Sequence, residues 1–282
     1  MNKDELMKIL AIPPEDLGKG TKIKVSLLGS PEEGFSDFAR VFLNEIIENN
    51  SKNKHTVAIL PVGPTEPYPI MVRLINSENI NCNNVIIINM DEYISEDGKD
   101  YIPISNKLSF RRFMNENFYS KINPDLNVRE ENRIFPDPKN TGFINKRIKE
   151  LGGVDICIGG LGFTGHIAFN DPPESDENIS LEEYKNMSTR VINLTRETIV
   201  QNSLPFGGNV DIIPKKAITL GMKEILSSKK IYMYFTRDWQ CAILRKTLHG
   251  EISAKVPGSL LQTHPNVHVF ISKNACMVPL PK

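Results

Sequence analysis

Carboxylates at the end of an apolar run are the first candidates for chemistry in this sequence. Asp91 and Glu92 follow the run VIII within residues 85–93, VIIINMDEY. A carboxylate in such a position can be partly desolvated and can accept a proton, a role that contributes roughly 10²–10⁴ in rate. The spacing alone fits a helix cap or a solvated loop acid equally well.

A histidine lies at the end of a second apolar run. Residues 159–172, GGLGFTGHIAFNDP, place His166 among four glycines. Glycines permit tight turns and a close approach of the backbone to a ligand. Because His166 lies in this segment and not on an apolar face, a functional role is favoured over a structural one.

A third polar segment, residues 61–69 (PVGPTEPYP), follows the apolar run TVAIL. A glycine and a threonine between a buried strand and a helix can present backbone N–H groups and a hydroxyl to a phosphate. The segment matches neither a Walker pattern nor a dinucleotide fingerprint. A phosphate site and a turn stiffened by proline are therefore equally good interpretations.

Alternating strands and helices must position these segments. Apolar runs predict strands at 22–29, 56–61, 85–90, 154–162 and 266–272, and also at TRVINL, AITLG and KIYMYFT. Helical spacing predicts helices at 109–122, 141–151 and about 238–249, and a capping box formed by Ser30 and Glu33 opens a further helix. The alternation predicts one doubly wound α/β domain, with a mostly parallel sheet flanked by helices, in which ligands bind beyond the carboxyl ends of the strands. We expect this domain to span 22–282, after an N-terminal extension at 1–21.

The composition excludes several classes of protein. The 34 basic and 34 acidic side chains balance, which argues against binding to nucleic acid or to an anionic membrane surface. No apolar run approaches the ~20 residues of a membrane helix, and the first residues do not resemble a secretory signal. The four cysteines are far apart without CxxC spacing, so we expect buried thiols in a reducing cytoplasm.

Five segments, in this order, resemble the glucosamine-6-phosphate deaminase (isomerase) family. They are INMDEY, SFRRFMNENFY, GHIAFNDP, AITLG and SLLQTHP, within residues 22–275. The superfamily includes the 6-phosphogluconolactonases, but GHIAFN followed by an acid and a proline is more similar to the deaminases. The resemblance implies a Rossmann-like fold, no cofactor and no obligatory metal.

The resemblance also implies a reaction. Family members open the pyranose ring of an amino-sugar 6-phosphate, move a proton between C2 and C1, and release ammonia to leave a ketose 6-phosphate. By position, Asp91 resembles the acid that carries the proton, His166 the acid/base of ring opening, and Asp171 the glutamate that orients the histidine. The remaining positions imply substrate-binding residues, namely Gly63 and Thr65 of the phosphate loop, with Thr164 and Gly165 beside the histidine.

The sequence departs from the family at the reacting end of the site. Thr164 replaces the usual aspartate, and a hydroxyl cannot accept a proton at neutral pH. Asp171 is one methylene shorter than the usual glutamate, which leaves its reach to His166 open.

The phosphate end departs further. Pro64 and Glu66 replace a glycine and a proline of the phosphate loop, and Leu204 and Gln240 replace an arginine and a lysine. The loss of two charge-assisted hydrogen bonds costs about 3–6 kcal/mol in binding. Arg237 is the candidate replacement, with a solvated arginine at a helix start as the equal alternative.

The sequence therefore predicts a divergent aldose–ketose isomerase or deaminase that binds a small-molecule sugar phosphate or amino-sugar 6-phosphate in the cytoplasm. A binding protein that senses such a sugar without turnover is the main alternative. A hydrolase of the lactonase type is a weaker one. Relatives in the family are often oligomeric, so a homo-oligomer remains open.

Overall fold

The computed structural model describes residues 2–174 and 177–281. Its strands are β1 (Lys24–Leu28), β2 (Thr56–Leu60), β3 (Val85–Asn89), β4 (Asp91–Tyr93), β5 (Arg133–Ile134), β6 (Ile156–Gly159), β7 (Arg190–Asn193), β8 (Lys216–Thr219), β9 (Lys230–Phe235) and β10 (Val267–Ser272). Its α-helices are α1 (Lys3–Leu10), α2 (Pro31–Ser51), α3 (Pro67–Glu78), α4 (Phe110–Asn117), α5 (Phe143–Glu150), α6 (Leu181–Lys185), α7 (Arg196–Ser203), α8 (Met222–Leu226) and α9 (Cys241–His249).

The main sheet is parallel throughout, in the order β1-β10-β9-β6-β2-β3-β5. This confirms the prediction of a mostly parallel, doubly wound sheet. The sequence implied a single sheet, but the structure has two. The runs TRVINL and AITLG form β7 and β8, which join β4 in a separate antiparallel sheet in the order β4-β8-β7. Strand β4 carries Asp91, so this second sheet positions a candidate catalytic residue.

Helices cover both faces of the main sheet. Val57 and Ile59 of β2 lie in one apolar cluster with Leu244 of α9, while Leu60 lies in another with Phe38 of α2. Every residue of β2 and β3 is buried. A strand that is covered on both faces needs no polar alternation, which explains the continuous apolar runs in the sequence.

The strand order reverses between β2 and β6. From β2 the chain continues to β3 on one side, and from β6 it continues to β9 and β10 on the other. Ligands of open α/β sheets bind at such a reversal, beyond the carboxyl ends of the strands. The loops that leave β2 and β6 are the PVGPTEP and LGFTGH segments, so the polar segments flank this crevice.

The start of helix α2 differs in one detail from the predicted capping box. The Ser30 hydroxyl accepts the Glu33 N–H at 3.2 Å, as predicted. The Glu33 carboxylate accepts the N–H of Gly29 at 2.6 Å, one residue before the predicted partner. The cap therefore also holds the end of β1.

The first 21 residues, predicted to be an N-terminal extension, contact α9 where the structure describes them. Arg245 of α9 donates its Nε to the Ile12 carbonyl at 2.9 Å, and the Gly18 N–H donates to His249 Nε2 at 3.1 Å. Leu17 is buried in the main core. The division into an extension and a domain stays a prediction. Within the described ranges, no helix is long and apolar enough to cross a membrane.

Candidate active site

The loop after β6 places His166 beside a short acidic partner. His166 Nδ1 lies 2.7 Å from Asp171 Oδ1, and the two side chains are only 7% and 8% exposed. The single methylene of Asp171 therefore reaches the imidazole, which answers the question left open by the sequence.

Three threonine hydroxyls complete the surroundings of Asp171. Thr164 Oγ1 donates to Asp171 Oδ1 at 2.7 Å, while Thr195 Oγ1 and Thr198 Oγ1 donate to Oδ2 at 2.9 and 2.7 Å. Burial tends to raise the pKa of Asp171, but the His166 hydrogen bond and charge, with the hydroxyls of Thr164 and Thr198, outweigh it and hold this pKa below its ordinary value. An ionised Asp171 can only accept, so the proton it shares with the imidazole belongs to Nδ1 and leaves Nε2 for chemistry.

The ring of His166 lies directly over Gly162. A Cβ at position 162 would be 2.0 Å from His166 Nε2, so only glycine leaves room for the imidazole. Within the described ranges, Nε2 makes no hydrogen bond. This nitrogen is therefore free to exchange a proton with a ligand.

Gly165 shapes the same loop. Its φ of +85° is in the left-handed region, and its carbonyl accepts the Gly258 N–H at 2.8 Å. A Cβ there would be 2.9 Å from Ile243 Cδ1. These contacts give Gly165 a structural reason to be glycine, while its predicted contact with substrate stays a prediction.

Asp91 is a buried carboxylate with no hydrogen bond to its side chain from any residue that the structure describes. It begins β4, opposite Thr219 of β8. Burial, followed by the charge of Glu92, raises the pKa of Asp91 to about 8. Thr219 Oγ1 also accepts the Phe169 N–H at 3.0 Å, which ties the segment between His166 and Asp171 to the strand opposite Asp91.

Glu92 has a structural role that its neighbour lacks. Its fully buried carboxylate accepts the Ser109 hydroxyl at 2.9 Å and the N–H groups of Phe110 and Arg111 at 3.0 and 2.8 Å. Glu92 therefore caps α4, and its negative charge is stabilised by the helix start. The sequence left a helix cap open as one interpretation of Asp91 and Glu92, and the structure shows that cap for Glu92 and not for Asp91.

Two side chains of helix α7 link these loops. Asn202 donates to the Tyr93 hydroxyl at 2.8 Å, and Gln201 Oε1 accepts the Phe163 N–H at 2.7 Å. The helix therefore contacts both the strand of Asp91 and the loop of His166. Leu204 follows in a 3₁₀ turn and is 51% exposed.

At the end of β9, Gln240 braces the backbone. Its Oε1 accepts the N–H groups of Thr236 and Arg237 at 2.9 and 3.0 Å, and its Nε2 donates to the Leu161 carbonyl at 2.8 Å. The side chain is buried and occupied, so it does not act as a ligand where the family has a lysine.

Arg237 forms an ion pair with Glu66 of the loop after β2. Its guanidinium also lies 5.5 Å from the centre of the Phe35 ring. A cleft of about 590 Å³ opens here, and its lining includes Glu32, Phe35, Glu66, Arg237 and Asp238. Gly63 and Thr65 lie in the same loop as Glu66 and are exposed, and within the described ranges no hydrogen bond joins them to His166.

Sequence reasoning missed Gly162, Thr195 and Thr198. The sequence LTRET does contain a helix-start signal, because Thr195 Oγ1 accepts the Thr198 N–H at 3.3 Å. Nothing local indicates that both hydroxyls contact a carboxylate more than twenty residues earlier in the chain.

Comparison with solved structures defines the class of protein. A monomeric glucosamine-6-phosphate deaminase of the NagB superfamily has a TM-score of 0.77 and 28% identity, over 90% of this chain and 98% of that chain. A 6-phosphogluconolactonase from Thermotoga maritima has a TM-score of 0.63 and 16% identity, over 89% of this chain and 100% of that chain, and shares the fold alone. The chain has the Rossmann-like α/β fold of this superfamily, as predicted.

A sequence comparison narrows the class to one family. The glucosamine-6-phosphate deaminase of Thermoanaerobacter pseudethanolicus is 33% identical over 236 residues, which are 82% of this chain and 87% of the relative. This chain belongs to the glucosamine-6-phosphate deaminase family, which confirms the predicted resemblance. A scan against family models finds no match.

Proposed function

We propose that this chain catalyses the aldose–ketose isomerisation of a sugar or amino sugar related to glucosamine 6-phosphate, with release of ammonia when C2 carries an amino group. One observation carries the proposal. At the carboxyl edge of the parallel sheet, an imidazole oriented by an ionised carboxylate follows β6, and a second, separate carboxylate whose pKa is raised to about 8 follows β3. The imidazole of His166 is paired with an ion, whereas the carboxyl group of Asp91 is buried without a hydrogen-bond partner among the described residues. Two titratable groups in such different environments suit an acid/base pair.

His166 supports the first step. Its Nε2 accepts the proton of the C1 hydroxyl as the C1–O5 bond breaks and then gives this proton to the ring oxygen, which leaves an open-chain aldehyde. Asp171 holds the Nδ1 proton and stabilises the imidazole in this orientation. We propose that the threonines around Asp171 keep it ionised throughout.

Asp91 supports the second step. Its carboxylate takes the proton from C2, the electron pair forms a C1=C2 double bond, and the π bond of the C1 carbonyl opens onto its oxygen, which takes a proton from water to give an enediol or an enolamine. The same carboxyl group returns the proton to C1, which leaves a carbonyl at C2 once the C2 hydroxyl of an enediol gives its proton to water, or an iminium formed by the nitrogen lone pair of an enolamine. Water adds to an iminium, ammonia leaves and a ketose remains. An acceptor with a pKa near 8 retains enough basicity for this proton transfer at neutral pH.

The replacement of a carboxylate by Thr164 favours a second candidate, a sensor that binds the sugar without turnover. Thr164 donates to Asp171 and cannot serve as a further base. A lactonase-type hydrolase has less support, since the likeness to the lactonase is one of fold. The site lies within residues 22–282, which we propose as the functional domain. The described cysteines are free and buried, which supports our proposal of a reducing cytoplasm.

Proton NMR in D₂O separates these functions. The purified protein is incubated with glucosamine 6-phosphate, galactosamine 6-phosphate, and the corresponding unphosphorylated amino sugars. The proposal predicts ketose formation, or deuterium at C1 or C2, with at least one of them. Binding without any change in the spectra would identify a sensor. Hydrolysis of 6-phosphogluconolactone that persists in Asp91→Asn and is lost in His166→Gln would identify a lactonase.

A further inference from the structure

The cleft beside the catalytic loops has an ion pair where the family binds phosphate. Glu66 follows Thr65 in the loop after β2, and Arg237 begins the turn after β9. Their contact spans the carboxyl end of β6, which lies between β2 and β9 in the sheet. Among the described residues that line the cleft, Arg237 is the one cation, and its charge is already balanced by Glu66 before any ligand enters.

The second oxygen of the same carboxylate lacks a partner. Glu66 Oε2 is shielded from solvent and accepts no hydrogen bond from the part of the chain that the structure describes. A shielded acceptor without a donor is destabilising. Because the Glu66 side chain is 38% exposed and lines the cleft, a ligand hydroxyl that enters the cleft can approach this carboxylate. A hydroxyl group would supply the missing donor, whereas a phosphate dianion would not.

The remaining charges of the cleft also oppose a phosphate. Glu32 and Asp238 add carboxylates to its lining, whereas Arg237 supplies the one guanidinium among the lining residues that the structure describes. At the start of α2, where an anion could bind, the Glu33 N–H donates to the Ser30 hydroxyl, and the Gly29 N–H just before the helix donates to the Glu33 carboxylate. A dianion would therefore meet like charges and, within the described part of the lining, no unpaired cation, which lowers its affinity.

The basic positions of the family provide no substitute. Gln240 is buried and uses both ends of its amide in backbone hydrogen bonds. Leu204 is apolar and faces solvent over about half of its surface, with 51% exposed. Phe35 and Ile70 contribute apolar lining that suits the C–H groups of a sugar.

We propose that the Glu66–Arg237 cleft receives a hydroxyl group at the distal end of the ligand, so that the substrate is an unphosphorylated aldose or amino sugar. Glu66 accepts from this hydroxyl and excludes a phosphomonoester. This inference rests on the proposed function, because it assigns the far end of the same sugar.

The test compares matched pairs of ligands. Binding and D₂O exchange are measured for glucosamine against glucosamine 6-phosphate, and for galactosamine against galactosamine 6-phosphate. In the wild type, we expect the unphosphorylated member to have at least about tenfold higher kcat/KM and affinity, because like charges oppose the phosphate. Glu66→Gln keeps the shape and removes the charge, so the preference should shift toward the phosphate by about tenfold.

A carboxylate at the far end of the helix that follows Glu66 provides the control. Glu78 ends α3 and pairs with Arg40 at 2.8 Å, outside this cleft. Glu78→Gln should leave the ratio between the two members unchanged. If it shifts the ratio as much as Glu66→Gln does, the effect belongs to overall charge and the inference is overturned.

The outcomes separate this inference from the proposed function. If the wild type exchanges deuterium but prefers the 6-phosphates, the function stands and this inference fails. If the unphosphorylated sugars bind in preference but no exchange occurs, the inference stands and the isomerase function fails. Failure of both unphosphorylated sugars to bind overturns the inference, whatever the 6-phosphates do.

Discussion

The two ends of the proposed substrate site differ in how their charged groups are used. At the reacting end, His166 and Asp171 form a closely bonded pair, and Asp91 has no hydrogen-bond partner for its carboxylate among the described residues. At the distal end, Glu66 and Arg237 neutralise each other and Gln240 braces the backbone. The difference suggests that the chemistry at C1 and C2 and the recognition of the other end of the sugar are separable.

The largest expected effect is at the reacting end. His166→Gln removes the acid/base of ring opening, and we expect kcat/KM to fall by roughly 10²–10⁴. His55 is exposed and contacts the Leu151 carbonyl, far from the site in the fold, so His55→Gln is the matched control and should leave the rate unchanged. Equal rates for His166→Gln and the wild type would show that His166 is not the acid/base of ring opening.

Gly162 tests whether the position of the imidazole matters. In Gly162→Ala, the new Cβ would be 2.0 Å from His166 Nε2 and must displace the ring. A misplacement of about 1 Å costs roughly 10² in rate, so we expect a loss of that size in kcat. Gly142→Ala is the control, because the nearest atom there lies 4.0 Å away and should tolerate the methyl group. Steady-state kinetics on the two variants would show whether the loss is specific.

The raised pKa of Asp91 predicts how the rate at the reacting end depends on pH. Asp91 must be ionised to accept a proton, and its pKa in the folded chain is about 8. We therefore expect kcat/KM to rise about tenfold per pH unit below this value and to level off above it. The folded state favours the neutral form of Asp91. The stabilisation that Asp91 contributes is therefore full below its ordinary pKa of 3.8 and is lost as the pH rises from there through about 8. A rate that is flat between pH 6 and 8 would contradict this assignment.

The smallest effect is expected at the distal end. Gln240→Lys restores the family's residue, but it breaks the bonds to Thr236, Arg237 and Leu161. We expect the free energy of unfolding to fall by about 1–3 kcal/mol, without a gain in phosphate affinity. Leu204→Arg, at an exposed position, should change stability by no more than about 0.5 kcal/mol. Denaturant unfolding of both variants measures the difference, and a stable Gln240→Lys that binds phosphate would contradict the bracing role.

The fold was largely predictable because its central strands are buried on both faces. The runs at β2, β3 and β6 have no polar alternation, which is typical of a covered parallel sheet. The second sheet was not predictable in the same way. The last three residues of β8 are buried like those of a core strand, and its antiparallel pairing with β4 joins residues more than a hundred positions apart.

The candidate site was predictable where a single residue type carries the chemistry. Asp91 and His166 are distinctive at the ends of apolar runs, and they follow β3 and β6, whose carboxyl ends lie at the same edge of the parallel sheet. The contacts of Thr195 and Thr198 with Asp171 depend on tertiary packing, as do those of Gln240 with Leu161. Sequence positions alone therefore indicated that a lysine was absent, but not that its replacement braces the backbone.

Transfer of the C2 proton by Asp91 is the central claim, and one measurement tests it directly. The rate at which solvent deuterium enters C1 and C2 of the sugar preferred by the wild type is measured for wild type, Asp91→Asn and the exposed control Glu96→Gln. We predict that Asp91→Asn binds the sugar but loses roughly 10²–10⁴ of the rate, while Glu96→Gln exchanges like wild type. Exchange by Asp91→Asn at the wild-type rate would contradict the account.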